Sequence, residues 1–154
     1  MVIIGIDPGT RTTGFGIIKS EGSSLACIEY GAIANPQRLT PWECHARIFE
    51  GIEKLVREHR IDAAAVESQF FAKNARTSLK IGEARSAALI PITRARIPIT
   101  EYAPKRVKQA VVGFGGAQKD QVQHMVHTLL NLRAEIKPED ASDALAIAIC
   151  HAHA

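Results

Sequence analysis

The chain lacks the marks of several large protein classes. It has only three cysteines, Cys27, Cys44 and Cys150, far apart and with no Cys-x-x-Cys pair. They read as reduced cysteines rather than as a disulfide framework. No apolar run approaches the ~20 residues of a membrane span. No charged-then-apolar leader follows Met1, because an apolar strand begins at once. The expectation is a cytoplasmic protein with no membrane partner. No repeat, low-complexity tract or linker breaks the 154 residues. One domain over residues 1–154 is therefore expected, long enough to bury a core without disulfides or a structural metal.

Net charge is also small, +3, but it is unevenly spread. Between Lys73 and Lys119 lie ten Lys or Arg and two acids, a net +8, while the remainder is net −5. Lys73, Lys105, Lys108 and Lys119 belong to this basic stretch. Any single one of them reads better as part of a solvated helix face. The asymmetry as a whole is the footprint of a polyanionic ligand.

What is present first is the opening, VIIGIDPGTRTTGFGIIK. Val2–Ile6 and Phe15–Lys19 read as strands joined by a Pro-Gly-Thr turn, and Leu25–Ala34 as a third strand, an antiparallel meander. Thr40-Pro41-Trp42-Glu43 carries the marks of a helix start: a Thr cap, Pro at the first position, and Glu closing a capping box. That helix should reach about Arg60. Ala63–Glu67 reads as a fourth strand. A second helix should start at Asn74 or Thr77, reach the early 90s and be kinked or stopped by Pro91. Ile97–Tyr102 reads as a fifth strand. A helix from Pro104 to near Gly113, another from about Lys119 and a last one through ASDALAIAIC complete the chain. Helical crossovers make the later strands parallel. The expected fold is α/β, a mixed five-stranded sheet with helices on both faces.

In this reading Asp7 ends the first strand and Glu67 the fourth. Ligand sites of such sheets lie outside the carboxyl ends of the strands. Asp140 and Asp143, three apart, share a face in the first turns of the last helix. Each acid has an ordinary structural reading: a turn initiator for Asp7, helix N-terminal acids for Asp140 and Asp143. Four together would repel one another, and a divalent cation would relieve this. All-oxygen ligation points to Mg²⁺ or Mn²⁺. With a polyanion surface beside it, such a site suits phosphodiester chemistry, in which two metals activate water and stabilise the leaving oxygen. His124 and His127, three apart on one helix, lack a third ligand. His151 is placed two turns after Asp143, within possible approach of the acids.

Four segments, GIDPGTRTTGFG, VESQFFAKNARTSLKIGEAR, PKRVKQAVVGFGGAQKDQVQHMV and DASDALAIAI, in this order, resemble the RuvC-type Holliday junction resolvases, of the ribonuclease H-like fold. The resemblance spans essentially the whole chain. It implies a homodimer that makes paired, metal-dependent nicks in a four-way DNA junction during recombination and repair, leaving 5′-phosphate and 3′-hydroxyl ends. It places the family's catalytic and metal-binding acids at Asp7, Glu67, Asp140 and Asp143, with Mg²⁺ (Mn²⁺ as substitute), two ions per site. It matches phosphate-contacting bases to Lys108 and Lys119, and a base-stacking aromatic to Phe70. Lys73 and Lys105 are further DNA-binding candidates from the basic stretch. The second helix is implied as the dimer contact, and a branch-migration complex as partner. The chain stops soon after the last helix, without the basic tail of some relatives, which implies weaker DNA affinity.

Three rivals remain. DPGTRTTG also resembles the first phosphate loop of actin-like ATPases, but these need two such domains and no second loop is visible. A junction-binding protein without catalysis is disfavoured by the intact acid quartet. A ribonuclease H-like nuclease acting on RNA–DNA hybrids shares the metal chemistry and differs only in substrate.

Overall fold

The computed structural model describes residues 1–68 and 74–154. Its strands are β1 (Val2–Asp7), β2 (Thr12–Glu21), β3 (Ser24–Ala34), β4 (Ala63–Glu67) and β5 (Ile99–Tyr102). Its helices are α1 (Pro41–Glu58), α2 (Ala75–Arg94), α3 (Pro104–Val112), α4 (Lys119–Leu129) and α5 (Glu139–Ala152). The strands form one sheet ordered β3-β2-β1-β4-β5. The first three are antiparallel, and β1–β4 and β4–β5 are parallel. This is the ribonuclease H-like fold expected above, with helices on both faces.

Strand alternation divides the core in two. Ile3, Ile18 and Ala65 point to the side covered by α3, α4 and α5. Ile4, Ile6, Phe15, Ile17 and Ala64 point to the side covered by α1 and α2. On the first side α5 lies very close to the strands, and glycine makes this possible. A Cβ at Gly5 would stand 2.0 Å from the Ala144 carbonyl oxygen, and one at Gly14 would stand 2.1 Å from that of Asp140. The close approach brings the first turn of α5 to the carboxyl end of β1.

The helix starts form as their sequences dictate. The Thr40 hydroxyl accepts from the Glu43 amide, and the Glu43 carboxylate accepts from the Thr40 amide. Asn74 caps α2 by accepting from the Thr77 amide at 2.8 Å. α2 ends at Arg94, in the early 90s as expected, with Pro91 inside the helix rather than at its stop. A proline removes one backbone donor, and here it does so in the helix's last turn. The Pro91 carbonyl still accepts from the Ala95 amide at 3.1 Å, and Pro91 and Ile92 are buried. β5 begins two residues later than expected, at Ile99, because Pro98 has no N–H for a ladder, although its carbonyl still accepts from Ala64. Among the described residues no helix is long and apolar enough to cross a membrane.

Candidate active site

β1 and β4 are parallel neighbours, so Asp7 and Glu67 end side by side at the carboxyl edge of the sheet. Asp7 pairs across β1–β2 with Gly14, the residue on which the Asp140 backbone rests. Asp143 follows one turn later on α5. A cavity of about 230 Å³ is lined by Asp7, Glu67 and Asp143 together with Lys108 and Lys119, and floored by aliphatic side chains of α3, α4 and α5. Asp140 lies outside this lining but close enough to act electrostatically on Asp7.

The charges disturb one another strongly. The Asp7 carboxyl is pushed up to about 7, first by burial and then by repulsion from Asp143, Asp140 and Glu67. Burial, followed by the Asp143 charge, raises Glu67, against which Lys108 and Lys119 pull down. Asp143 is raised by burial although Lys119 opposes it. These causes are the ordinary ones for clustered, half-buried carboxylates. Perturbed carboxyls in a cleft are a mark of a working site. Among the described residues, no three His, Cys, Asp or Glu side chains already stand in ligating geometry. The acidic groups of the cavity are all carboxylates, with no His or Cys beside them, a donor set whose chemistry suits a hard cation.

Lys119 brings positive charge to this acidic cluster. Its Nζ lies 3.0 Å from Glu139 and 3.2 Å from Asp143. Bonding to Glu139 and the Asp143 charge raise its pKa despite some burial. Gln123 donates to Glu139 at 2.9 Å and completes the chain. Glu139 escaped the reading of the sequence, although it sits four residues before Asp143, on the same face of α5. Arg85 escaped as well: it donates to the Glu67 carbonyl oxygen at 2.8 Å and pairs with Glu101 at 2.9 Å.

Of the other candidates, Lys105 is exposed at the start of α3, its stem against Gly115, outside the acid cavity. Phe70 and Lys73 lie outside the described residues. His151 does not line the cavity; its Nδ1 meets the Tyr102 hydroxyl at 2.8 Å. A larger cleft of about 830 Å³, between α4 and the segment 135–139, holds His124 and His127 but none of the four acids.

A sheet with three antiparallel and two parallel-joined strands, acids at its central carboxyl edge and lysines around them, defines the class: a ribonuclease H-like α/β protein with an acidic, lysine-rimmed site. Within it, residues 3–151 match the model of the family described as crossover junction endodeoxyribonuclease RuvC, and the chain belongs to that family. A crossover junction endodeoxyribonuclease RuvC of Geobacter metallireducens is 50% identical, the match covering 99% of this chain and 93% of that one. The protein of the same name from Citrifermentans bemidjiense is 48% identical, with the same coverages of 99% and 93%. The structure of Thermus thermophilus RuvC in complex with a Holliday junction substrate superimposes with a TM-score of 0.91 at 32% identity, covering 99% of this chain and 94% of that one.

Proposed function

We propose that this chain is a single-domain, structure-selective endonuclease that resolves four-way DNA junctions by paired nicks, leaving 5′-phosphate and 3′-hydroxyl ends, in recombination and repair. The observation that carries the reading is one cavity that gathers Asp7, Glu67 and Asp143 beneath Lys108 and Lys119 in a chain of the junction-endonuclease family.

Asp7, Glu67, Asp140 and Asp143 are the catalytic, metal-holding groups. Their all-oxygen set fits Mg²⁺, with Mn²⁺ as substitute, at two ions per site. Bound there, the cations supply water activation and charge neutralisation at the leaving oxygen. Asp7, whose carboxyl is pushed up to about 7 by burial and its acidic neighbours, would hold a cation as the carboxylate. Lys119 pairs with both Asp143 and Glu139 and offsets part of their charge. Near substrate, Lys108 and Lys119 hold the phosphates that flank the scissile bond, and Lys73 and Lys105 extend the track. Phe70 stacks on a base at the crossover, an interaction worth roughly 1–3 kcal/mol.

Two chains act together. The outward side of α2, with Leu79 at 66% and Ile90 at 49% exposure, is the apolar surface offered to a second copy. The protein works in the cytoplasm, where a branch-migration complex delivers junctions. The test is cleavage of a labelled mobile four-way junction, a linear duplex and an RNA–DNA hybrid, each with Mg²⁺ and with EDTA. Paired nicks in the junction alone, lost with EDTA, are expected. Cutting of the hybrid would keep the chemistry and discard the substrate; tight junction binding without nicking would make the protein a binding module.

A further inference from the structure

The β1–β4 ladder runs to Ile6↔Val66. Beyond that pair β1 continues into Asp7 and Pro8, and Pro8 has no N–H to give a neighbouring strand. On the other side, β5 holds the peptide after Glu67 twice over. The Ser68 amide donates to the Tyr102 carbonyl at 2.8 Å, and the Ser68 hydroxyl donates to the same oxygen at 3.3 Å. The Glu67 carbonyl itself is taken by a side chain, the Arg85 guanidinium at 2.8 Å.

Arg85 is tied down in turn. Its second terminal nitrogen pairs with Glu101 on β5 at 2.9 Å, and its side chain is only 14% exposed. It arises from α2 between Ala84, which is buried in the core, and Ser86, which faces out. One planar fork therefore joins three elements: the helix, the end of β4 and the edge strand β5. Such a split of two donors between a carboxylate and a carbonyl is what a guanidinium supplies and an ammonium does not.

From this geometry we propose that Arg85 is the positioning residue for Glu67: it fixes the Glu67 peptide plane, and so the direction of the Glu67 carboxylate towards Asp7 and Asp143. The inference rests on the metal-holding role given to Glu67 above. It also gives α2, whose outer side is the surface for a second copy, a direct hydrogen bond to the catalytic edge. The helix thereby transmits its own placement to the acid cavity.

The test uses full-length Arg85→Ala and Arg85→Lys. Three quantities are measured beside wild type: Mn²⁺ binding to DNA-free protein by electron paramagnetic resonance, single-turnover junction cleavage across a Mg²⁺ titration, and junction affinity in EDTA. Arg85→Ala should bind Mn²⁺ at least fivefold more weakly and need correspondingly more Mg²⁺ for half-maximal rate. Its rate should fall at least tenfold at low Mg²⁺ and recover partly at high Mg²⁺. Junction affinity should stay within twofold. Arg85→Lys keeps a charge beside Glu101 and should recover folding but only part of the metal affinity; it decides the matter if Arg85→Ala does not fold. Wild-type Mn²⁺ affinity and wild-type Mg²⁺ dependence in either folded variant would overturn the proposal. So would a loss of rate that follows a loss of junction affinity at unchanged metal dependence. Failure of wild type to cut junctions would instead strike the proposed function, and the Mn²⁺ titration would still judge Arg85.

Discussion

On the α3–α5 side of the sheet, Gly5 and Gly14 let backbone press on backbone, and the carboxylates of β1, β4 and α5 are forced into one half-buried cluster. On the α1–α2 side, Ile4, Ile6, Ile17, Ile48 and Ile52 fill an ordinary aliphatic core, and the outer surface exposes Trp42, Leu79 and Ile90. The first side holds unfavourable charge at short range; the core of the second is aliphatic, with its ion pairs, such as Arg85–Glu101 and Arg94–Glu53, at the margin. The difference separates two tasks. A site that concentrates charge needs a rigid frame with no slack, whereas a surface for another chain needs only area.

The comparison can be broken from either side. Gly5→Ala should have the largest effect, because its Cβ would meet backbone atoms that cannot turn aside. A loss of at least about 3 kcal/mol is expected in urea unfolding, at the upper end for overpacking; a loss below 1 kcal/mol would mean that α5 shifts freely. Leu79→Glu with Ile90→Glu should leave the fold within roughly 0.5 kcal/mol, as surface changes do. It should weaken self-association about a hundredfold in sedimentation; unchanged self-association would move the dimer surface elsewhere.

A smaller effect concerns protons. Asp7 binds its proton more tightly folded than unfolded, with a pKa of about 7 against 3.8. Between those values the folded chain holds the proton and the unfolded chain does not, so metal-free stability falls as pH rises from 4 to 7. The loss is bounded at roughly 4 kcal/mol by the size of the shift, and Asp7→Asn should flatten it. A melting temperature in EDTA that is identical for both proteins across this range would show that Asp7 is not under such pressure. The smallest effect is that of Lys119→Ala. It should weaken junction binding about tenfold and reduce the salt slope by about one counterion; an unaltered slope would leave Lys119 as a partner of Asp143 and Glu139 only.

Much of this was legible locally. Asp7 and Glu67 each follow an apolar run, and the Thr40 box and Asn74 cap announce their helices within four residues. Asp140 and Asp143 are visible as acids in a helix's first turns. Contacts that join distant segments left no such trace. The Lys119–Glu139 pair and the Arg85 fork each bring together residues that share no local period, so they emerge only when the sheet order is known. The end of α2 was legible for the opposite reason: Pro91 is a local signal, and the helix closes within one turn of it, at Arg94. Of the small residues on α2, Ala84, Ala87 and Ala88 are spent on the core, and Gly82 and Ser86 are left to line the outer surface.

The most direct test of the central claim, that the α3–α5 side is the cutting site, is a comparison of Asp7→Asn with wild type on one mobile four-way junction, with cleavage and binding read from the same Mg²⁺ reactions. The account expects cleavage to fall by more than about a thousandfold while junction affinity holds, since the change removes a charge without altering shape. Cleavage at a rate near wild type would contradict it, because the acid at the end of β1 would then hold nothing that the reaction needs.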